Sequence, residues 1–168
     1  HHRVAEFSPR WLANSVTEYV TMSVASRTTT AAQLAEVRGS LELLSAELAA
    51  RNRTDEQLEQ LFEAIPNSGE NNHEVLMRQD MHFHRILAEC TQNPLLVAYI
   101  GAGIVAVQKF TGQMHAYSDR MVAHLDEVHA AVAQRDPAKA AAAMRSHLHY
   151  FAGFYSSGEA DRANTDAS

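Results

Sequence analysis

The segment HEVLMRQDMHFHRILAEC, residues 73–90, decides how the rest of the chain is read. Leu76, Asp80, Phe83 and Leu87 recur at spacings of four, three and four, the period of one face of an α-helix. Three of these positions are apolar and the fourth is a carboxylate, so Asp80 falls where a core residue belongs. His84 follows one turn later, at i+4, and shares that side of the helix.

The same period runs outward in both directions. Ser8-Pro9 supplies a cap and a proline at the first helical position, opening a helix to about Met22. Arg27–Thr30 reads as a polar linker. Between Thr30 and Arg51 the residues Leu34, Val37, Leu41, Leu44 and Leu48 form an apolar stripe. Thr54 caps a short helix to Ile65, with Asp55 and Glu56 in its first turn, where the helix dipole favours them. Pro66-Asn67-Ser68-Gly69 and Asn71-Asn72 make the clearest loop. After the helix from His73 to Thr91, Asn93-Pro94 starts another to about Tyr117. Ser118 caps the next, to Arg135, and Asp136-Pro137 opens the last, to about Tyr155. No run alternates β-branched and polar residues, and no repeat is present. The prediction is an all-α fold, an antiparallel bundle of six to seven helices, with Leu34, Leu41, Leu44, Leu48, Phe83, Leu87, Val128, Val132 and Phe151 in its core.

Composition narrows the function. The chain has 168 residues, 46% hydrophobic and 20% charged, enough for one domain with a real core. Its net charge is −6 and its 14 Lys+Arg are scattered, unlike the basic footprint of a nucleic-acid binder. Cys90 is the single cysteine, so no internal disulfide can form, consistent with a reducing cytoplasm. It ends the stripe containing Phe83 and Leu87 and reads as buried and inert. The longest apolar run, Leu95–Val107, is broken by Gly101 and Gly103 and is too short to cross a membrane.

A second polar residue shares the peculiarity of Asp80. Met144, His147 and Phe151 are successive members of one stripe, which places His147 on a core-facing phase. A carboxylate inside a bundle is costly unless paired, and imidazoles bridged to it by a divalent cation relieve that cost. One carboxylate and two or more imidazoles suit zinc, nickel, manganese or iron. The blander alternative is a hydrogen-bonded Asp–His pair. His82, His115 and His149 have surface phases. Arg38, on the flank of the second helix's stripe, carries two readings: an exposed i,i+4 ion pair with Glu42, or a guanidinium aimed into the bundle to clamp a ligand carboxylate.

Three stretches resemble the FadR-like C-terminal ligand-binding (FCD) domain of GntR-superfamily transcription regulators. They are Glu36-Val37-Arg38-Gly39-Ser40-Leu41-Glu42 with the following Ala-Glu-Leu-Ala-Ala-Arg, Asp80-Met81-His82-Phe83-His84 with Asn93-Pro94 beyond it, and Arg135-Asp136-Pro137 through Ala143-Met144-Arg145-Ser146-His147-Leu148. They span about Thr30 to Tyr155 in the family's order. The resemblance implies a metal held by Asp80, His84, residue 125 and His147; the ion expected there is zinc, nickel or manganese. Residue 125 is leucine here, a departure from the family pattern, and Leu125 also fits an apolar stripe with Met121, Val128 and Val132. That leaves three outcomes: His124 as a substitute fourth ligand, a three-ligand site, or a lost one.

The expected function is a sensor. A small carboxylate effector binds at the metal or Arg38 and shifts the geometry of a homodimer. Operator DNA is reached only through a winged helix-turn-helix domain that this chain is expected to lack. Residues 1–29 would be the helix and linker joining that domain, 30–156 the effector-binding bundle, and 157–168 a flexible tail. Gly101-x-Gly103 would let another helix approach closely, within the chain or across a dimer. Two rival classes are a metal-dependent helical-bundle enzyme and a ligand-free dimerisation bundle. A di-iron centre needs two Glu-x-x-His pairs, and Glu70-Asn71-Asn72-His73 is the single match, in a loop.

Overall fold

The computed structural model describes residues 9–67, 69–70, 72–111 and 119–150, and among these every regular element is a helix. In chain order they are α1 (Pro9–Ala25), α2 (Ala31–Asn52), α3 (Asp55–Glu63), α4 (His73–Cys90), α5 (Pro94–Thr111) and α6 (Asp119–Ala133), followed by α7 (137–150). Ser8, Ser118, His115, Phe151 and the 157–168 tail lie outside the described residues, so the expectations placed on them are not addressed by the structure.

Helix starts fall where side chains can satisfy free backbone N–H groups. Thr30 and Thr54 each form a capping box, with Gln33 and Gln57 reaching back to the cap backbone. Asn72 accepts from the Glu74 and Val75 amides, Asn93 from Leu95, and Asp136 from Lys139. The helix ends are as specific. Arg135 has a φ of 54°, in the left-handed region, and its N–H bonds to the Val132 carbonyl while that of Asp136 reaches Ala131. This is a Schellman stop built without glycine. The Arg135 side chain then donates to the Arg51 and Arg53 carbonyls at the end of α2, so the residue that ends α6 also closes α2.

The core is shared among α2, α3, α4, α6 and α7. Leu61, Leu76, Phe83, Leu87, Met121, Leu125, Val128, Val132 and Met144 are its large members, all essentially inaccessible. A smaller cluster, Met81, Ala88, Ile100 and Ile104, joins α4 to α5, and Leu34 and Leu41 lean against it. Helix α1 lies along α5. A Cβ built on Gly103 of α5 would stand 3.9 Å from the aliphatic stem of Arg38, an ordinary van der Waals contact, so packing against Arg38 does not itself require the glycine.

The expected apolar face of α2 needs correction. Val37 and Leu44 are exposed, at 62% and 42%, and Leu34, Leu41 and Leu48 are half-buried. The face of α2 turned fully inward is Glu42, Ser45, Ala46, Ala49 and Ala50. It has the period of the leucine stripe but a phase one residue later, about 100° around the helix. Small side chains win this face because α2 passes close to both α4 and α6, where leucines would not fit.

Candidate metal and effector site

Two helices deliver the three polar core residues to one point. Asp80 and His84 lie one turn apart on α4, and α7 brings His147 against them. All three are buried, and one ligand atom from each can be chosen so that all lie within 4.8 Å of one another. His84 Nε2 is 3.1 Å from His147 Nε2, His147 Nε2 is 3.2 Å from Asp80 Oδ1, and His84 Nε2 is 3.8 Å from that oxygen.

These separations can be tested against a metal centre. Ligands bonded at about 2.0–2.2 Å to one divalent ion stand roughly 3–3.5 Å from each other. The three atoms are close to that spacing with their donor ends facing one another. Asp80 Oδ1 is buried and accepts no aligned hydrogen bond, although His147 Nε2 is within ion-pair distance. An acceptor left so deep in a core is expensive, and a cation would satisfy it. The residues present fit the ion.

Behind the triad stands Glu42 of α2, fully buried. His84 Nδ1 donates to Glu42 Oε2 at 2.8 Å, and Arg38 Nε donates to Glu42 Oε1 at 3.2 Å. Burial alone would raise the Glu42 pKa, but the neighbouring His84 and Arg38 outweigh it and hold the carboxyl below its ordinary range. Asp80 behaves alike: burial opposes its charge, and His147, His84 and Arg38 restore it. For His147, burial pushes the pKa below the ordinary histidine value, and the pull of Asp80 does not fully offset it. The cluster is thus two carboxylates and one guanidinium around neutral His147, an environment suited to a cation.

Arg38 departs from its expected exposed pairing. The ion pair with Glu42 exists, but it is buried, with side-chain exposures of 10% and 0%. Sequence reasoning missed Glu42 itself. Its signal was the i,i+4 spacing to Arg38 combined with the alanine stripe Ala46, Ala49 and Ala50, which carries Glu42 inward. His124 is half-buried, its ring perpendicular to that of His147 at 6.4 Å and to Tyr150 at 5.7 Å. It does not belong to the converging triad. Leu125 is fully buried within the apolar core. His82 and His149 are exposed. Burial pushes the Cys90 thiol up to about 11, which removes it as a nucleophile.

Comparison with known proteins gives the constellation a context. The family model of the FCD domain matches residues 33–150. The "HTH-type transcriptional regulator LutR" of Bacillus subtilis strain 168 is 32% identical over 126 residues, covering 69% of this chain and 58% of that protein. The "Uncharacterized HTH-type transcriptional regulator YcbG" of the same organism is 29% identical over 116 residues, 68% of this chain and 50% of that protein. The "HTH-type transcriptional repressor NanR" of Klebsiella aerogenes is 33% identical over 107 residues, 60% of this chain and 41% of that protein. The chain spans about half the length of the curated relatives it matches.

Proposed function

We propose that this chain, which belongs to the FCD domain family of GntR-type transcription regulators, senses a small carboxylate metabolite through a divalent metal ion held by Asp80, His84 and His147. The observation that carries this reading is the convergence of those three side chains from α4 and α7, fully inside a bundle. Zinc, nickel or manganese is the ion the donor set favours. Such an ion supplies a Lewis-acid point for a carboxylate oxygen, and the protein ligands leave coordination positions for it.

The chain's own residues supply the rest. The guanidinium of Arg38 stands next to Glu42, and its charge complements an incoming carboxylate. Among the described residues Glu42 is an acidic group in contact with His84, and both its oxygens are engaged, by His84 and Arg38, which supports a receptor over an enzyme. The relatives' names support a transcription regulator, and on this proposal operator DNA is reached through a separate helix-turn-helix part, with the protein acting in the cytoplasm. Among the described residues no helix is long and apolar enough to cross a membrane. We also propose a homodimer, supported by the exposed Tyr19 and Met22 of α1 and Leu95 and Tyr99 of α5, on two neighbouring helices. Light scattering at tens of micromolar tests it, and a monomer would count against it.

The metal reading is tested by native mass spectrometry after saturation with zinc, nickel or manganese. One ion per chain is expected, lost in His147→Ala and kept in His149→Ala. Zero metal in the unaltered chain would defeat it. A thermal-shift screen of small carboxylic acids, with and without the ion, then separates a sensor from a ligand-free bundle.

A further inference from the structure

We propose that Glu42 is the positioning residue of this site, fixing His84 with its proton on Nδ1 and its Nε2 lone pair bare toward Asp80 and His147. The inference rests on the metal-sensor reading for its consequence, but the hydrogen-bond pattern behind it stands on the geometry alone.

Glu42 is wholly buried and flanked by the guanidinium of Arg38, whose Nε donates to Oε1 at 3.2 Å. A carboxylate beside a permanent cation in a dry interior is an ion, and an ionised carboxylate only accepts hydrogen bonds. Its other oxygen, Oε2, lies 2.8 Å from His84 Nδ1. That nitrogen must therefore carry a hydrogen. In a neutral imidazole one nitrogen donates and the other offers a lone pair, so Nε2 is the acceptor. Nε2 is also the atom 3.1 Å from His147 Nε2 and 3.8 Å from Asp80 Oδ1. Without Glu42 the proton could sit on either nitrogen, and half of the choices would block the ligand atom. Of the three ligands, Glu42 hydrogen-bonds His84, and its action passes through that residue. Carboxylates behind ligating histidines orient the ring and raise its basicity, and losing one typically weakens metal binding about 10–100-fold.

Two measurements decide it. In the metal-free wild-type chain, nitrogen-15 chemical shifts should show His84 protonated at Nδ1 and bare at Nε2. Zinc titration against a chelating dye should then show Glu42→Gln binding about 10–100-fold more weakly, with circular dichroism and Tm close to wild type. The glutamine is nearly isosteric, but its amide cannot accept from both His84 and Arg38. A proton on His84 Nε2 in the wild type overturns the proposal, whatever the variant does. Equal zinc affinity in Glu42→Gln overturns it as well. If Glu42→Gln does not fold, the wild-type nitrogen shifts alone decide. Absence of zinc binding in the wild type, with the Nδ1 proton present, would instead defeat the metal reading and leave the role of Glu42 toward His84 intact.

Discussion

Asp80 Oδ1 and His147 Nε2, on α4 and α7, face each other at 3.2 Å inside the helical bundle. The oxygen has no aligned hydrogen bond, so the metal-free state holds an unsatisfied acceptor at the contact joining these two helices. An ion bound there stabilises the fold as well as the site. At a free zinc concentration 100 times Kd the gain is about 2.7 kcal/mol, or roughly 5–10 °C in Tm for a chain of this size. Differential scanning fluorimetry with and without zinc checks this. The same experiment on Asp80→Ala should show no shift, and an equal shift would move the binding site elsewhere.

Acid should destabilise the metal-free chain. Burial holds the His147 pKa below the ordinary 6.5, and His129 is lowered for the same first reason. An unfolded histidine titrates near 6.5, so below that pH the unfolded state takes up the proton first and stability falls. Glu42 and Asp80, both lowered, contribute stability above the unfolded carboxylate values and lose it as pH falls through their folded ones. All four act in one direction. Urea midpoints measured from pH 7.5 to 5 should decrease, and His147→Gln should flatten the upper part of that slope. A midpoint that rises on acidification would contradict the assigned shifts.

Truncations on α2 and α4 should separate the two stripes. Leu87 is fully buried in the main core, and Leu87→Ala should cost about 2–5 kcal/mol. Leu44 is 42% exposed, and Leu44→Ala should cost less than about 1 kcal/mol. Urea denaturation of the two variants at low concentration, where any dimer is minimal, gives the comparison. Equal losses would mean that the inward face of α2 is the leucine stripe.

That comparison shows what sequence carried and what it did not. Period is a local property, and it placed the helices, the cap at Thr54, the helix starts at Asn93-Pro94 and Asp136-Pro137, and the inward phases of Asp80, His84 and His147, while the cap at Thr30 went unread. Phase is a tertiary property when two stripes compete. On α2 the leucines marked the larger apolar surface, but α4 and α6 come too close for them, and the alanine face went inside with Glu42. Glu42 therefore remained hidden, since a glutamate four residues from an arginine looks like a solvated pair. Only the approach of α4, carrying His84, explains why it is buried.

Leu125 gives the sharpest test of how many protein ligands the site uses. The position that holds a histidine in the resembling family holds a fully buried leucine here, packed in the main apolar cluster. The adjacent His124 presents its ring edge-on to His147, but it stands apart from the converging triad. On the proposed metal reading, this arrangement favours three protein ligands. His124→Ala should change zinc affinity by no more than about threefold, because its ring stands outside the converging triad. Leu125→His places an imidazole in the apolar core. In the metal-free protein that should cost about 1–3 kcal/mol, because the ring is desolvated without a partner. Zinc should recover the loss, and affinity should tighten about tenfold or more as binding gains a ligand. Competition titration and Tm with and without zinc resolve both effects. A large loss in His124→Ala, with no gain in Leu125→His, would instead make His124 the fourth ligand, reached by rotation of its ring toward the triad.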